Sequence, residues 1–308
     1  MDGSTRYFLQ IGKKENDTQG VGHFYHFLIG YLLPSIEIIL RKGKQHKNMP
    51  AEYLLEISVP ELKTIAQDVL RLLDCTSYQI VDKKPNAVTK VIKVPRWDQA
   101  LSYHAAWIER KLWLITKNII KEVLWYKSTP KLLVYFACKR KIHSFHHLIR
   151  TKLNNGPKIA DVKSVLFITR TPARKSREHE DMDTWNPQKA KSRVAFINTD
   201  ITIEKFLNNG IQLTPFEPGT HTIVEQIKQF ANCDVIIAMR GAELANVFWM
   251  RSGAKVFVMD SRPKSLPSHT KSLANLLNIE YVEFKKGIDH LFELPDSIIT
   301  VVTSKLNN

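Results

Sequence analysis

Short apolar runs alternate with amphipathic stretches along the second half of the chain. The runs are rich in Val, Ile and Phe, which is typical of buried strands, and the stretches between them have the apolar spacing of helices. The pattern predicts strands at 162–169, 194–198, 212–216, 234–239, 255–259 and 281–284, and helices at 202–208, 222–231, 242–250 and 266–277. Such a succession of strands and helices predicts a doubly wound, Rossmann-like parallel sheet.

The first half shows the same alternation with less regularity. After an irregular start, the pattern predicts a helix at 24–40, strands at 53–58, 78–81 and 88–94, and helices at 60–73 and 98–126. This mixture indicates a second α/β domain with a mostly parallel sheet.

A strong turn signal separates the two halves. Asn154-Asn155-Gly156-Pro157 ends a basic segment that starts at Lys139, and this combination of residues is typical of a turn. The 308 residues are too many for one ordinary core and enough for two domains. We therefore predict an N-terminal domain at 1–150 and a C-terminal domain at 151–308.

The composition is that of a folded protein with an anionic partner. Hydrophobic residues make up 44% of the chain and charged residues 24%, which excludes a disordered protein. The formal charge of +15 favours binding to nucleic acid, to an anionic membrane surface or to the phosphate groups of a small substrate. Composition alone does not choose between these three.

Cysteine usage and hydropathy predict the compartment. The three cysteines, Cys75, Cys138 and Cys233, are widely separated, so we expect buried, inert thiols in a reducing compartment. Residues 1–20 are polar and show no signal peptide. The apolar stretch at 24–40 is interrupted by polar residues and is therefore expected to be a core helix. These features predict a soluble, cytoplasmic protein without a membrane anchor.

The sequence offers no convincing metal site. His143, His146 and His147 have the spacing of metal ligands but are not accompanied by carboxylate or cysteine ligands. They are therefore predicted to lie in a basic surface segment. Asp181-Met182-Asp183 has the form of an Asp-x-Asp motif but lies in a polar loop. We expect no bound metal.

The most informative segment is the strand at 234–239 with the turn that follows it. Gly241 and Ala242 open a helix, and small residues there let a ligand approach free backbone N–H groups at the positive end of the helix. Arg240 adds a guanidinium that can bind phosphate through two parallel hydrogen bonds. The alternatives are an ordinary strand-to-helix turn and a structural pair between Arg240 and Glu243.

This segment resembles the family 61 glycosyltransferases. Their hallmark is a strand followed by His-Gly-Ala-Gly-Leu, an Asn, a Phe and Met pair, Pro-Gly and a further strand. The matching residues are Arg240-Gly241-Ala242-Glu243-Leu244, Asn246, Phe248, Met250 and Ser252-Gly253. Upstream, Val165 to Arg170 is similar to the family's strand ending in Ser-Arg, and the likeness covers about residues 160–262. Arg240 replaces the hallmark His and Glu243 the second Gly, which leaves an altered or lost activity open.

The resemblance implies a GT-B fold, in which two Rossmann-like domains face a cleft and the C-terminal domain binds the donor. It implies inverting transfer from a UDP-sugar to a glycan hydroxyl without an essential metal or other cofactor. Xylose or another pentose is the first expectation for the sugar, and N-acetylglucosamine is the second. The donor-binding residues expected on this basis are Arg170, Arg174, Arg177, Glu217, Thr222, Arg240, Gly241, Ala242, Glu243, Asn246 and Asp260.

Two of these expectations have alternatives of their own. The cluster of Arg170, Arg174 and Arg177 has the composition of a solvated basic loop as well as that of a diphosphate site. Asp260 ends a strand, where carboxylates often bind ribose hydroxyls, but it could also cap the residues that follow it.

A histidine near the start of the helix at 24–40 is the expected catalytic base. The segment from Gly22 to Pro34 resembles the family's early segment, His26 matches it better than His23, and Gly30 stands where the family often has an acidic residue. The two histidines lie on one helix face, and an imidazole can accept the proton of an acceptor hydroxyl. Asp98 and Glu37 are rival bases, and a cap or core role is the alternative for the histidines.

A basic nucleic-acid-binding protein without enzymatic activity is the rival function. The charge of +15 supports it, but the basic residues are dispersed and no recognised nucleic-acid motif is present. We therefore favour a glycosyltransferase whose partners are a nucleotide-sugar donor and a glycan acceptor.

Overall fold

The computed structural model describes residues 5–11, 24–45, 51–86, 90–98, 100–101, 130–153, 164–170, 195–260, 269–285 and 291–307. These residues form a mixed α/β structure with parallel sheets, which confirms the predicted α/β class. The chain divides into two compact units. The first comprises Met1–Gly156, Ala245–Trp249 and Pro267–Leu277, and the second comprises Pro157–Leu244, Met250–Leu266 and Asn278–Asn308.

The first unit is built on a parallel sheet. Its elements before residue 157 are β1 (Thr5–Ile11), α1 (Phe24–Phe27), a π-helical turn (Leu28–Leu32), α2 (Leu33–Gln45), β2 (Ala51–Glu56), α3 (Pro60–Leu72), β3 (Tyr78–Val81), β4 (Lys90–Val94) and α4 (Pro130–Leu153). The described strands have the order β3-β2-β1-β4, and each neighbouring pair is parallel. The strand order therefore reverses between β1 and β4, the point at which open α/β sheets bind ligands beyond the carboxyl ends of their strands.

The second unit contains the Rossmann-like sheet that the sequence predicts. Its elements are β5 (Val165–Ile168), β6 (Ala195–Phe196), α5 (Thr199–Asn208), β7 (Leu213–Phe216), a 3-10 turn (Pro218–Thr220), α6 (Ile223–Asn232), β8 (Val235–Met239), a 3-10 helix (Ala242–Trp249) that continues into the first unit, β9 (Lys255–Asp260), β10 (Glu280–Lys285), β11 (Leu291–Phe292) and α8 (Asp296–Asn307). One further helix, α7 (His269–Leu276), belongs to the first unit.

The order of this second sheet fixes its ligand-binding edge. The described strands run β10-β9-β8-β5-β7, and every neighbouring pair is parallel. Counted along the chain, the order from β7 is second, first, third, fourth and fifth, which is the flavodoxin-like arrangement. The switch point of such a sheet lies between its first and third strands, here β5 and β8. The residues that follow these two strands, Arg170 and Arg240, are therefore those at the ligand-binding edge.

Local sequence explains why β8 forms where it does. All five of its residues are buried, as expected of a continuous apolar run covered on both faces of a parallel sheet. The helix before it, α6, starts at a capping box in which Thr222 and Glu225 bond each other's backbone N–H groups. The cap fixes the start of α6 and hence the point at which the chain turns back into β8.

The first half departs from its sequence-based predictions in two places. The predicted irregular start is wrong, because residues Thr5–Ile11 form β1 in the middle of the sheet. The prediction of a basic surface segment is wrong for His146, which is buried with its ring edge against Phe248, whereas His143 and His147 are exposed. Most of the helix predicted at 98–126 falls outside the described residues.

One described helical segment, Phe24–Gly43, is long and apolar enough to cross a membrane by length and composition alone. Of its most apolar window, 78% is buried inside the fold, as in the core helix of a globular protein. A signal sequence would satisfy the same criteria of length and composition. The three cysteines are free and buried, as predicted. Burial raises the pKa of the Cys75 thiol to about 12, so this thiol is inert at neutral pH.

Candidate functional site

A histidine–aspartate pair lies at the switch point of the first unit. His26 is on α1, which follows β1 along the chain, and Asp98 comes four residues after the end of β4. The Nδ1 atom of His26 lies 2.8 Å from Oδ2 of Asp98. Because an ionised carboxylate can only accept a hydrogen bond, this contact assigns the N–H of the neutral imidazole to Nδ1 and leaves the lone pair on Nε2. The pair has the chemistry of a general base with its orienting carboxylate.

Arg96 holds the carboxylate of that pair. Its Nε and Nη2 atoms donate to the two oxygens of Asp98 at 2.8 and 2.7 Å, and the Asp98 side chain is 1% exposed. Burial by itself would raise the pKa of Asp98, but the hydrogen bonds from Arg96 and then His26 outweigh it and lower the pKa from 3.8 to about 2. Asp98 is therefore a carboxylate throughout the neutral range, and its oxygens bond both Arg96 and His26.

Gly30 makes room for this carboxylate in the π-helical turn. A Cβ atom at Gly30 would lie 2.5 Å from Oδ1 and 2.6 Å from Cγ of Asp98. The carboxyl group is fixed by Arg96 and cannot retreat. The missing side chain at this position is thus what admits Asp98 against the helix, and rare π turns of this kind often lie at functional sites.

Gly30→Ala is expected to destabilise the first unit by about 1–3 kcal/mol through overpacking against Asp98. The matched control is Gly43→Ala, since Gly43 lies in α2 and its Cβ would meet no atom within 4 Å. That control should stabilise the helix by roughly 0.5–1 kcal/mol. Chemical denaturation of both variants measures the difference, and equal stabilities would show that Asp98 does not need the space above Gly30.

Two further aromatic rings surround His26. The rings of His26, Tyr25 and His269 are mutually near-perpendicular, with centroids 5.6 to 6.2 Å apart. His269 is the first residue of α7, which belongs to the first unit. The rings pack edge to face and add a second imidazole beside the candidate base.

The guanidinium of Arg170 lies at the switch point of the second unit, beside Gly241. Its Nη2 atom is 2.7 Å from Oε2 of Glu243 and 3.4 Å from the backbone oxygen of Met239. A Cβ atom at Gly241 would collide with both Arg170 and Glu243. The ion pair between Arg170 and Glu243 therefore lies directly over the backbone of Gly241.

Arg240 forms a second ion pair on the neighbouring strands. Its Nη1 atom is 2.6 Å from Oδ2 of Asp260, at the end of β9, and 3.8 Å from Oε1 of Glu283 in β10. Asp260 is 1% and Glu283 7% exposed. The structure thus pairs Arg240 with Asp260 and Glu243 with Arg170, in place of the Arg240–Glu243 pair that the sequence suggested as an alternative.

The other predicted donor residues have varied positions. Glu217 accepts hydrogen bonds through its backbone oxygen in the turn after β7, and Thr222 caps α6. Ala242 is exposed next to Gly241. Asn246 is fully buried and accepts a hydrogen bond from Trp249 within the first unit. The predicted residues outside the described part of the chain are His23, Arg174 and Arg177.

Sequence reasoning missed four residues of these two clusters. Arg96 could have been found, because it follows a predicted strand in the same way as Arg170. His269, Tyr25 and Glu283 carry no local signal, since only the tertiary fold brings them to their partners. The rival base Glu37 is buried and bonds Arg41 one turn later on its helix at 2.9 Å. Among the described residues, no group of three or more His, Cys, Asp or Glu side chains is placed to hold a metal ion.

Comparison with known proteins identifies the family. The sequence model of the glycosyltransferase 61 family matches residues 24–257. The match includes His26, Arg170, Arg240 and Glu243. The chain belongs to the glycosyltransferase 61 family. This membership confirms the resemblance seen in the sequence and implies glycosyl transfer between a donor and an acceptor.

The other comparisons add little to the family 61 assignment. A comparison with curated proteins finds no match. Among solved structures, the chain is similar to the crystal structure of a family 9 glycosyl transferase from Veillonella parvula, with 10% identity over 99% of this chain and 90% of that one. The TM-score is 0.30, so this likeness carries no argument about function.

Proposed function

We propose that this family 61 member is an inverting transferase that moves a sugar from a UDP-sugar to a glycan hydroxyl. The observation that supports this most is the hydrogen bond between His26 and Asp98 at the switch point of the first sheet. It supplies an oriented base, which is the group that an inverting transfer requires of the protein.

In the proposed reaction, the base activates the acceptor. The Nε2 atom of His26 takes the proton of the acceptor hydroxyl while the hydroxyl oxygen attacks the anomeric carbon of the donor. The new carbon–oxygen bond forms on the face opposite the breaking bond to the diphosphate, so the configuration inverts and UDP leaves. Asp98 keeps the imidazole oriented and stabilises the imidazolium that forms.

The donor side of the proposal rests on the second unit. Arg170, Arg240 and the backbone at Gly241 follow the strands that flank the switch point, where α/β sheets bind phosphate groups. Guanidinium groups there would stabilise the charge of the leaving diphosphate in place of a metal ion. The proposed architecture is GT-B, with domains at 1–150 and 151–308, and the proposed location is cytoplasmic. Xylose or another pentose is the proposed sugar, with N-acetylglucosamine second.

UDP is expected to raise the melting temperature of the purified protein, and EDTA should leave the rise intact. At a hundred times the dissociation constant, a ligand stabilises a protein by about 2.7 kcal/mol, which is roughly 5–10 °C for a domain of this size. A thermal-shift series with UDP, GDP, CMP and UDP-xylose measures the effect. A shift that requires added manganese would contradict metal-free donor binding.

A thermal-shift measurement with duplex DNA tests the nucleic-acid alternative. One observation favours that alternative: α4 has no acidic residue and exposes Lys139, Arg140 and His143, a basic face that suits phosphate groups. If duplex DNA stabilised the protein at physiological salt and UDP did not, the nucleic-acid function would replace the one proposed. We expect the reverse result.

A further inference from the structure

The two ion pairs at the ligand-binding edge of the second sheet differ in how easily they can open. Asp260 is almost fully buried, so its pair with Arg240 is part of the interior. The Glu243 side chain is 22% exposed and sits at the start of the short 3-10 helix. A glutamate in that position can turn into solvent by rotating its own side chain, without any change in the backbone. The pair between Arg170 and Glu243 is therefore the displaceable one.

The charge of the described cluster does not suit a diphosphate while both pairs are closed. Two guanidinium groups, Arg170 and Arg240, face three carboxylates, Glu243, Asp260 and Glu283. The Glu243 carboxylate also occupies the space over Gly241, which is the place where a phosphate would approach the backbone N–H groups after β8. An incoming phosphate would be repelled by the Glu243 carboxylate, which already bonds the guanidinium of Arg170.

We infer that the Glu243 carboxylate occupies the position on Arg170 at which a phosphate would bind. It must be displaced when a nucleotide diphosphate binds. This inference rests on the proposed function and names a residue that sets donor affinity and selectivity. Displacement exchanges one anion on Arg170 for another, so the net gain from that contact is small. A ligand with two phosphate groups can still displace Glu243, because it has a second charged group to bind elsewhere on the edge. A monophosphate has no such compensation.

The test is the affinity of the Glu243→Gln variant for UDP and for inorganic pyrophosphate, measured by calorimetry. Glutamine keeps the size of the side chain and removes its charge, so both dissociation constants should fall by about fivefold to thirtyfold. Glu243→Ala, which also vacates the space over Gly241, should bind at least as tightly. UMP should also bind Glu243→Gln more tightly than the wild type, because the cost of displacing the Glu243 carboxylate is removed for this ligand too.

The matched control is Glu280→Gln, which removes the same charge from the same unit. Glu280 is the first residue of β10 and pairs with Lys305 at 2.8 Å. In a parallel sheet this places it at the edge opposite the candidate site. Its effect on affinity measures the change in net charge alone and should be under about twofold, since exposed charges at that range are screened.

The outcomes separate the inference from the proposed function. Tighter binding by Glu243→Gln supports the inference, including the case in which only the variant binds. If the wild type binds UDP and both Glu243 variants bind it equally or more weakly, the inference is overturned and the proposed function stands. Binding of no nucleotide and no pyrophosphate by any of the folded proteins would overturn both. Melting temperatures of all variants establish that they are folded.

Discussion

Replacing His26 with alanine is expected to lower the rate of sugar transfer by roughly a hundredfold or more, the usual contribution of a general base. The imidazole has no role in donor binding in the proposed mechanism, so the dissociation constant for UDP should stay within about twofold of the wild-type value. The rate is measured as release of UDP from the nucleotide sugar that stabilises the protein in the thermal-shift series. Calorimetry measures the affinity.

His143→Ala is the matched control for this variant. His143 is exposed on α4 in the same unit, and its removal should leave both quantities unchanged. Asp98→Asn should mimic the loss of His26, because an amide cannot fix the required tautomer. Full activity in His26→Ala would mean that the base lies elsewhere. His23 would then be the next candidate, because Arg96 holds Asp98 as a carboxylate with a pKa of about 2.

The second half of the fold was predictable because its signals are local. Each of the six predicted strands there is a short apolar run bounded by polar residues, and its observed bounds differ from the predicted ones by three residues or fewer, as for β8, predicted at 234–239 and found at Val235–Met239. The short strand β11 and the helix α8 at the end of the chain were not predicted. The capping box of α6 and the glycine after β8 mark their turns in the sequence itself. Parallel order followed from the alternation of strand and helix.

The first half was harder because its central strand depends on partners far along the chain. β1 has only three buried residues in succession, Tyr7, Phe8 and Leu9, and a run of that length is also typical of a loop or a helix end. Pairing with β2 and β4 makes it a strand. The π-helical turn has no sequence signal either, and its Gly30 lies against Asp98, a residue far along the chain.

Within the candidate site, the sequence identified residues but not their pairing. His26 and Asp98 appeared as rival bases, and the fold joins them into one unit. Arg240 and Glu243 are three residues apart, a spacing that suggests contact on a helix. Burial decides otherwise, because Asp260 and Glu283 lie on the strands beside Arg240 and would be left as buried charges without it.

Arg240→Ala is therefore expected to destabilise the second unit by about 3–5 kcal/mol, the usual cost of removing one partner of a buried ion pair. A role in donor binding alone would weaken UDP binding at unchanged stability. The structure adds a loss of stability, because the variant leaves the carboxylates of Asp260 and Glu283 without the guanidinium of Arg240. The melting temperature should fall by roughly 6–20 °C, and UDP binding, measured at a temperature where the variant is folded, should weaken by about tenfold or more.

Two further variants separate these effects. The double variant Arg240→Ala/Asp260→Asn should recover part of the lost stability, since asparagine removes one of the two buried carboxylates that Arg240→Ala leaves without a partner, but it should not recover UDP affinity if Arg240 binds the diphosphate. Lys205→Ala removes a cation from an exposed pair with Asp296 in the same unit and should barely change the melting temperature. A stable Arg240→Ala variant would show that the pair with Asp260 is not structural. Unchanged UDP affinity in the folded variant would remove Arg240 from the donor site and leave Arg170 as its guanidinium.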